Sequence, residues 1–360
     1  MAQVSKRVVR GVTLNGESKR FGLPQTEADG DWLDMRDEID GRPAPVRTTV
    51  TIERPKTIIS RNTSPDVPFD RSINPYRGCE HGCIYCFARP SHAFHDLSPG
   101  LDFETKLFAK PDAADLLRGE LAKPSYRCAP MALGTNTDPY QPIEGKWRIT
   151  RGVIEVLAAC DHPLVITTKS DRVVRDLDLI APMAAKGLVG VAISITSLDP
   201  KIAMTIEPRA PHPEKRLAAV RRFADAGVPV YVNMAPVIPA ITDNEVEAIV
   251  ERAAAAGARG VSFIPVRLPW EVAPLFRAWL DEHFPERAGK VMATIQSLRG
   301  GKDNDPGFFS RMRGEGPWAE LLRTRFLIAR RKHGIDQNRE KMQLRCDLFR
   351  PPRGPQGELF

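Results

Sequence analysis

The feature that most constrains the fold is a regular alternation of short apolar runs with longer segments of helical periodicity. Six runs rich in Val and Ile are strand candidates: Ser72–Tyr76, Pro130–Thr135, Leu164–Thr168, Val189–Thr196, Val230–Pro236 and Gly260–Val266. The helical candidates lie at 112–122, 146–159, 173–186, 213–226, 243–256 and 272–283. Such alternation is typical of repeated βα units, and continuous Val/Ile content indicates strands buried on both faces of a parallel sheet. The sequence therefore predicts an α/β fold built on a partial (β/α)6 TIM-type barrel.

Three parts of the chain differ in their patterns. Residues 1–71 mix Gly, Pro, Asp and Arg without a sustained period, which predicts an irregular N-terminal extension with a few short strands such as Arg47–Glu53. The barrel is predicted at 72–289. Residues 290–360 are predicted to form a basic C-terminal extension with one helix, Pro317–His333, and a flexible tail.

Composition and charge narrow the functional class. No apolar run approaches the roughly 20 residues that a membrane-spanning helix needs, so we expect no membrane partner. The lack of an apolar leader and the scattered cysteines predict a cytoplasmic protein. The net charge is +7, and residues 301–360 contain 13 Lys and Arg against 8 Asp and Glu. A basic end of this kind suits phosphate contact, although solvated arginines on an exposed helix have the same composition.

Three cysteines, Cys79, Cys83 and Cys86, lie within thirteen residues of sequence RGCEHGCIYCFAR. Three thiolates leave one position of a four-ligand site open. A C-x3-C-x2-C run can bind three irons of a 4Fe-4S cluster and leave the fourth iron available for chemistry. The alternative is a structural zinc site whose fourth ligand is a histidine, for which the candidates are His81, His92 and His95.

The cysteine spacing, with Tyr85 immediately before the third cysteine, resembles the signature of the radical S-adenosylmethionine (SAM) superfamily. The resemblance implies two cofactors, a 4Fe-4S cluster and SAM, whose amino and carboxylate groups bind the open iron. It further implies that an electron from the reduced cluster breaks the sulfonium bond and releases a 5'-deoxyadenosyl radical. An electron donor such as flavodoxin or ferredoxin is the expected partner.

The resemblance also implies a SAM site at the carboxyl ends of the strands, where parallel α/β folds bind their ligands. Family members commonly have a Gly-Gly-Glu type motif after the second strand, which this chain lacks. We assign its role to Thr135, Asn136 and Asp138, although Asp138 with the following proline could equally form a turn. Lys169, after the third strand, is placed to neutralise the SAM carboxylate or else is solvated.

Further SAM contacts are expected on later strands. Ser194 and Thr196 project to one face of the fourth strand and could bind the ribose hydroxyls or, alternatively, backbone groups. Arg209 could bind the SAM carboxylate in a bidentate manner or form a salt bridge with Glu207. Asn233 on the fifth strand is assigned to the adenine slot.

The cluster motif together with Thr-Lys-Ser, Ser-Ile-Thr and Glu-Pro-Arg-Ala resembles the branch that contains spore photoproduct lyase and DNA repair photolyase-like proteins, over roughly Ser72–Arg267. This implies lyase-like or repair-like action on nucleic acid. The alternatives are radical chemistry on a peptide or small metabolite, and a zinc-stabilised nucleic-acid-binding protein without catalysis. Spore photoproduct lyases use an additional cysteine as hydrogen donor; Cys128 and Cys346 are the candidates, and Cys160 is assigned to packing.

The last five residues, Gln356–Phe360, resemble the Gln-x-x-Leu-Phe peptides with which bacterial DNA repair proteins dock on the sliding clamp. Gly357 departs from that pattern, in which an aliphatic residue is usual. The sequence therefore predicts clamp docking through the tail, with an apolar tail that folds back on its own domain as the alternative.

Overall fold

Ten strands form two sheets in the computed structural model, which describes residues 11–12, 47–335 and 343–352. The strands are β1 Thr49–Ile52, β2 Ile59–Arg61, β3 Arg71–Ile73, β4 Tyr76–Arg77, β5 Lys106–Ala109, β6 Met131–Leu133, β7 Leu164–Thr168, β8 Val189–Ser194, β9 Val230–Val237 and β10 Gly260–Pro265. All six predicted strands are present. The first is divided into β3 and β4 by Asn74 and Pro75, because proline has no backbone N–H for a sheet ladder.

The larger sheet has seven strands in the order β2-β3-β6-β7-β8-β9-β10. Every neighbouring pair from β3 to β10 is parallel, and β2 pairs antiparallel with β3. The α/β class with its parallel βα units is therefore confirmed. No pairing within the described residues joins β2 to β10, so the sheet is open, and the curvature of a partial barrel stays a prediction.

A smaller sheet of order β1-β5-β4 lies outside the main one. Its strands β1 and β5 are parallel, whereas β4 and β5 are antiparallel. β1 confirms the short strand predicted around Arg47–Glu53. The division of the chain into three parts stays a prediction, although β2, which lies before residue 72, pairs with the main sheet.

Twelve α-helices in the described residues accompany the strands. They are α1 Leu101–Thr105, α2 Ala113–Leu121, α3 Glu144–Trp147, α4 Ile149–Ala159, α5 Leu177–Ala185, α6 Pro200–Ile206, α7 Pro213–Asp225, α8 Val246–Ala255, α9 Val272–His283, α10 Pro285–Ser297, α11 Ser310–Arg313 and α12 Pro317–Lys332. The seven predicted helices are present with shifts of a few residues at their ends. Sequence reasoning missed α1, α6, α10 and α11. Of these, α6 and α10 begin with proline at their first position, where its fixed φ suits a helix.

Because strands β3 and β6 to β10 are parallel, their carboxyl ends lie along one edge of the main sheet and their amino ends along the opposite edge. We call the edge at which β6 to β10 end the carboxyl edge, and the opposite one the amino edge. All six residues of β8 are buried, so the centre of the sheet is covered on both faces. Among the described residues, no helix combines the length and the apolar character that a bilayer-spanning segment requires. The predicted clamp peptide, Gln356–Phe360, lies outside the described residues.

Candidate active site

Residues 78–89, which we call the cysteine loop, bend at two glycines with left-handed backbone conformations. Gly78 has φ +71° and Gly82 has φ +67°. A Cβ on Gly78 would lie 2.6 Å from Leu107 Cδ2 and 2.8 Å from Phe103 O, so no other residue fits there. The backbone N–H of Cys79 donates to Phe103 O at 2.9 Å. These contacts fix the start of the loop at the first cysteine.

The buried side chain of Arg89 holds the loop from within. Its Nε donates to Cys83 O at 2.9 Å, and its Nη2 donates to Gly82 O at 3.1 Å. The same Nη2 lies 2.6 Å from Glu104 Oε1 in an ion pair whose two side chains are both 0% exposed. Hydrogen bonds to an ionised group are stronger than those between neutral groups. They offset the free energy that is needed to remove the Arg89–Glu104 ion pair from water.

Gln141, which follows β6, fastens the loop to the carboxyl edge. Its Oε1 accepts from Glu80 N at 2.9 Å and its Nε2 donates to Gly78 O at 3.1 Å. On the other side, Ile84 N donates to Ile206 O at 3.1 Å, at the end of α6. The cysteine loop therefore lies over the carboxyl ends of the strands.

The three cysteines are free thiols, of which Cys79 and Cys83 are buried and Cys86 is partly exposed. Burial, and then the charges of Asp138, Cys83 and Cys86, raise the pKa of Cys79. Burial also raises the pKa of Cys83 to about 12, although Lys169 opposes that rise. Cysteines that raise one another's pKa lie close together. Their thiolates would repel one another, and a cationic metal centre would offset that repulsion. The donor set fits an iron–sulfur cluster.

The described residues contain no group of three or more His, Cys, Asp or Glu side chains arranged to hold a single metal ion. The histidines proposed as a fourth zinc ligand have other surroundings. His92 Nε2 is 2.8 Å from Lys106 O, and the His95 ring centroid is 4.7 Å from that of Phe108. His81 Nδ1 lies 3.3 Å from Asp138 Oδ2. A cluster distributes its cysteine ligands over several irons, so convergence on one ion is not required.

Lys169, directly after β7, extends its ammonium toward the cysteine loop. Its Nζ lies 5.7 Å from the centroid of the Tyr85 ring. Burial lowers the pKa of Lys169, but Cys83, Glu207 and further acidic neighbours raise it above the ordinary value. No hydrogen bond or ion pair engages this ammonium among residues that the structure describes. Lys169 is therefore a cation that can accept an anionic ligand.

Glu207 is the centre of a buried hydrogen-bond network beneath the loop. Its Oε1 accepts from the Tyr85 hydroxyl and from Thr196 Oγ1, the latter at 2.8 Å, and its Oε2 lies 2.5 Å from Arg216 Nη1. Burial raises the pKa of Glu207, but Arg216 and Lys169 together lower it to about 2. Glu207 is thus a carboxylate that fixes Tyr85 and Thr196 in place.

Arg209 lies beside this network but has another partner. Its Nη2 is 3.1 Å from Glu80 Oε1. The predicted alternative, a salt bridge between Arg209 and Glu207, is therefore wrong, since Glu207 pairs with Arg216. The partner of Arg209 comes from the cysteine loop itself.

Asp138 connects the ends of β6 and β7. Its Oδ1 accepts from Thr168 Oγ1 at 2.6 Å and from Tyr140 N at 2.9 Å, and its Oδ2 accepts from Lys169 N at 2.7 Å. Burial raises the pKa of Asp138, but His81 and these hydrogen bonds lower it to about 2. The hydrogen bond from Tyr140 N to the Asp138 side chain forms a turn, which is the alternative that the sequence offered for Asp138.

The remaining predicted SAM residues also lie at the carboxyl edge, with partners inside the protein. Thr135 Oγ1 and Asn136 N donate to Asn74 Oδ1 at 3.3 and 3.2 Å. Asn233 Oδ1 accepts from Ser262 Oγ at 2.6 Å. Ser194 is buried, and its carbonyl accepts from Arg216 Nη1 at 3.1 Å. The structure therefore gathers Tyr85, Asp138, Lys169 and Thr196 around the cysteine loop, with the others on neighbouring strands.

The two cysteines predicted to donate hydrogen lie at the opposite edge of the sheet. Cys128 precedes β6, and burial together with the neighbouring thiol of Cys346 raises its pKa to about 12. The segment around Cys346 is held by bonds from Arg345 N to Gly187 O at 3.1 Å and from Arg350 N to Cys160 O at 2.9 Å, just before β8 and β7. The structure brings Cys128 and Cys346 to one another and not to the cysteine loop, so we do not assign them to the chemistry.

Sequence reasoning missed the polar groups that hold the loop and the network. Arg89, Glu104, Gln141 and Arg216 are all 0–1% exposed although their side chains are polar. The one available signal was Arg89, the third residue after Cys86 in the sequence. The others lie outside the cysteine motif.

Comparisons with known proteins agree with this geometry. Residues 73–253 match the model of the family described as the radical SAM superfamily. Uncharacterised proteins of Mycobacterium bovis and Mycobacterium tuberculosis are 42% identical over 222 residues, which span 61% of this chain and 65% of each relative. An uncharacterised protein of Methanocaldococcus jannaschii is 28% identical over 173 residues, 48% of this chain and 62% of its own.

Solved structures of spore photoproduct lyase share the fold. The enzyme complexed with dinucleoside spore photoproduct superimposes with a TM-score of 0.54 at 16% identity, over 79% of both chains. A variant with bound AdoMet and the same dinucleoside gives a TM-score of 0.54 at 17% identity, over 79% of this chain and 78% of the other. At this level of identity the match establishes a common fold.

Proposed function

The chain belongs to the radical SAM superfamily, and on this basis we propose that it is an enzyme that cleaves SAM reductively and acts on nucleic acid. Cys79, Cys83 and Cys86 would hold a 4Fe-4S cluster, which when bound supplies the electron that converts SAM to methionine and a 5'-deoxyadenosyl radical. The observation that supports this most directly is a glycine-bent loop of three cysteines close to the ammonium of Lys169, which has no ion pair with any of the described residues.

The side chains around the loop have defined roles in this proposal. Lys169 binds the SAM carboxylate and compensates its charge. The Thr196 hydroxyl donates to Glu207, which leaves its oxygen lone pairs free to accept from a ribose hydroxyl. Arg216 keeps Glu207 ionised, and Glu207 in turn accepts from the Tyr85 hydroxyl and so anchors the cysteine loop. Asn233, on β9, is assigned to adenine binding.

The network also orients the site before any ligand arrives. Tyr85, Thr196 and Glu207 are all buried and bonded to one another, so their positions cost little reorganisation when SAM binds. Thr135, Asn136 and Asp138 lie at the same edge, and their bonds to Asn74 and Lys169 indicate that they chiefly shape the site.

Nucleic acid is the substrate class that we propose, in a lyase-like or repair-like reaction. The solved structures that share the fold include spore photoproduct lyase with a dinucleoside lesion, and the chain has a net charge of +7. We further propose a cytoplasmic enzyme that receives its electron from a flavodoxin or ferredoxin. Docking of Gln356–Phe360 on a sliding clamp remains a proposal; equal binding of clamp with and without Leu359 and Phe360 would contradict it.

The test is anaerobic reconstitution with iron and sulfide, followed by dithionite reduction and measurement of 5'-deoxyadenosine. We expect iron and sulfide absorbance, and SAM cleavage that Cys83→Ala abolishes. Cys160→Ala is the matched control, because Cys160 is equally buried but lies at the amino edge. Zinc as the only metal, or unchanged iron content in Cys83→Ala, would contradict the proposal and favour a zinc-stabilised binding protein.

The substrate class has its own test. Addition of DNA that contains ultraviolet lesions is expected to accelerate 5'-deoxyadenosine release. If the rate is unchanged while SAM is still cleaved, a peptide or small metabolite is the better substrate hypothesis.

A further inference from the structure

A patch of exposed aromatic rings and arginines borders the cysteine loop. Phe87, the residue after Cys86, is 45% exposed, and Arg267 Cζ lies 5.4 Å from the centroid of its ring. Arg267 is the second residue after β10, so it lies at the carboxyl edge. The contact between Phe87 and Arg267 therefore places one side of the patch directly beside the proposed cluster.

The other side of the patch is the segment 307–313, which Arg299 holds against the end of β10. Arg299 Nη1 donates to Arg311 O at 3.0 Å, and its Nη2 donates to Val266 O at 3.1 Å. The segment presents Phe308 and Phe309, which are 53% and 51% exposed. Arg311 Cζ lies 4.9 Å from the centroid of the Phe308 ring.

The charges of the two arginines in the patch are balanced differently. Arg311 forms a bidentate pair with Asp66, at 2.6 and 2.5 Å. Arg267 has no ion pair with any residue in the described part of the chain. Burial and the nearby Arg311 and Arg299 lower the pKa of Arg267 to about 10, which still leaves it cationic at neutral pH. Asp66 raises the pKa of Arg267 but forms no ion pair with it, so a positive charge without a direct partner in the described residues lies among exposed rings.

We propose that this patch, formed by Phe87, Arg267, Phe308, Phe309 and Arg311, binds unpaired nucleotides of a nucleic-acid strand. Bases stack on the phenylalanine rings, and the guanidinium of Arg267 binds a phosphate. Combined stacking and phosphate contact is the way in which proteins bind single strands, and the planar fork of arginine matches phosphate. The inference rests on the proposed nucleic-acid substrate and adds to it the surface and the form of the strand.

The chemistry of the patch favours a nucleic-acid strand over its two alternatives. A duplex keeps its base faces inside the stack, so exposed rings have nothing to stack on unless nucleotides are unpaired. An apolar protein surface would cover the phenylalanines but would leave the charge of Arg267 buried without a partner, which is unfavourable. A single strand provides bases that stack on the rings and a phosphate that pairs with Arg267.

Stacking is tested by fluorescence anisotropy of a labelled single-stranded thymidylate oligonucleotide with the reconstituted full-length protein. We expect Phe308→Ala to weaken binding about 10-fold and Phe308→Trp to restore it, because alanine removes the stacking face and tryptophan replaces it. Leu321→Ala is the control. Leu321 is 58% exposed on α12, so its replacement by alanine also removes exposed apolar surface, but outside the patch. Its affinity is expected to match that of the wild type.

Phosphate contact is tested by the salt dependence of the same binding. Arg267→Gln is expected to reduce the slope of log affinity against log salt by about one. Arg323→Gln removes the same charge from an exposed position of α12 and is expected to leave the slope unchanged. Absence of single-strand binding, tighter binding of a duplex, or equal losses in the control variants would overturn the inference.

The two proposals fail separately. A protein that releases 5'-deoxyadenosine but does not bind the oligonucleotide contradicts only the strand-binding surface. A protein that binds the oligonucleotide through Phe308 and Arg267 but cannot cleave SAM supports the surface and contradicts the proposed catalysis.

Discussion

Lys169 shows how one side chain can gain a ligand-binding role from its neighbours. Burial lowers the pKa of its ammonium, but Cys83, Glu207 and Asp138 raise it above the ordinary value, so the ammonium is protonated at neutral pH. An ammonium that is charged, partly desolvated and unpaired within the described residues attracts a carboxylate strongly, because low local dielectric strengthens the interaction.

We therefore predict that Lys169→Met weakens SAM binding by about 10-fold to 100-fold, the effect of losing a hydrogen bond to a charged group. Equilibrium dialysis with the reconstituted protein measures this, and the iron content should not change. Lys201→Met, at an exposed position of α6, is the control. Unaltered SAM affinity in Lys169→Met would exclude the assigned role.

Cys128 and Cys346 lie at the amino edge, so their substitution should leave the chemistry intact. We predict that Cys128→Ser and Cys346→Ser each form 5'-deoxyadenosine within about twofold of the wild-type rate, as expected for positions away from a site. Chromatographic quantification under reducing anaerobic conditions provides the measurement. A large loss of product in either variant would return these cysteines to the active site.

At the scale of elements, the cysteine loop depends on α1 through the ion pair of Arg89 with Glu104. Both side chains are fully buried, so removal of one charge leaves the other without compensation. We predict that Glu104→Gln lowers the free energy of unfolding by about 3–5 kcal/mol and reduces iron incorporation.

The matched control is the exposed pair of Arg118 with Asp115, whose side chains are 54% and 81% exposed. Asp115→Asn should change the free energy of unfolding by less than about 0.5 kcal/mol, because solvent screens such a pair. Urea unfolding and iron analysis of both variants make the comparison. Equal effects of the two substitutions would show that the loop does not depend on the buried pair.

The strands and most helices could be predicted from the sequence, whereas the supports of the cysteine loop could not. Periodicity, proline positions and terminal glycines are local signals, and Gly187, Gly227 and Gly257 do end helices with positive φ. The loop is held instead by contacts between residues far apart in the chain, such as Glu80 N with Gln141 and Ile84 N with Ile206 O. No local pattern encodes those pairs.

The candidate site could be predicted from the rule that ligands of parallel α/β folds bind at the carboxyl ends of the strands, but only in part. Lys169 and Thr196 were found because parallel strands end at the same edge, where ligands bind. The rule does not specify partners, so the sequence leaves Arg209 with two possible ones, the SAM carboxylate and Glu207, its near neighbour in the chain. The structure pairs it with Glu80, which the folded cysteine loop brings alongside.

At the scale of the whole molecule, the two edges of the main sheet have different roles. The carboxyl edge contains the cysteine loop, Lys169 and the buried network of Glu207. At the amino edge, the segment 343–352 packs against the sheet, with the ring centroid of Phe349 5.3 Å from that of His162. Substitutions at the amino edge should therefore affect stability more than chemistry.

His162 offers a test of this division through pH. Its Nδ1 must donate to Pro163 O at 2.9 Å, since a carbonyl only accepts, and its Nε2 therefore accepts from the Tyr126 hydroxyl at 2.7 Å. Burial lowers the pKa of His162 from 6.5 to about 4. The unfolded chain thus takes up a proton as pH falls through 6.5, whereas the folded protein does so only near 4. Stability from this group is complete above pH 6.5 and is lost between these two values.

We predict that acidification from pH 7 to pH 5 costs the wild-type protein about 2 kcal/mol more stability than it costs His162→Gln, which keeps hydrogen-bonding groups but cannot be protonated there. Urea unfolding of the metal-free proteins at both pH values measures the difference. The pKa of His92 is lowered to about 4 in the same way, but His92 is present in both proteins, so its contribution to the difference in stability cancels. Because His162 lies at the amino edge, the variant should still cleave SAM at pH 7 once reconstituted. Equal pH dependence in the two proteins would show that His162 is not held neutral by the fold, and loss of SAM cleavage would show that the two edges are not independent.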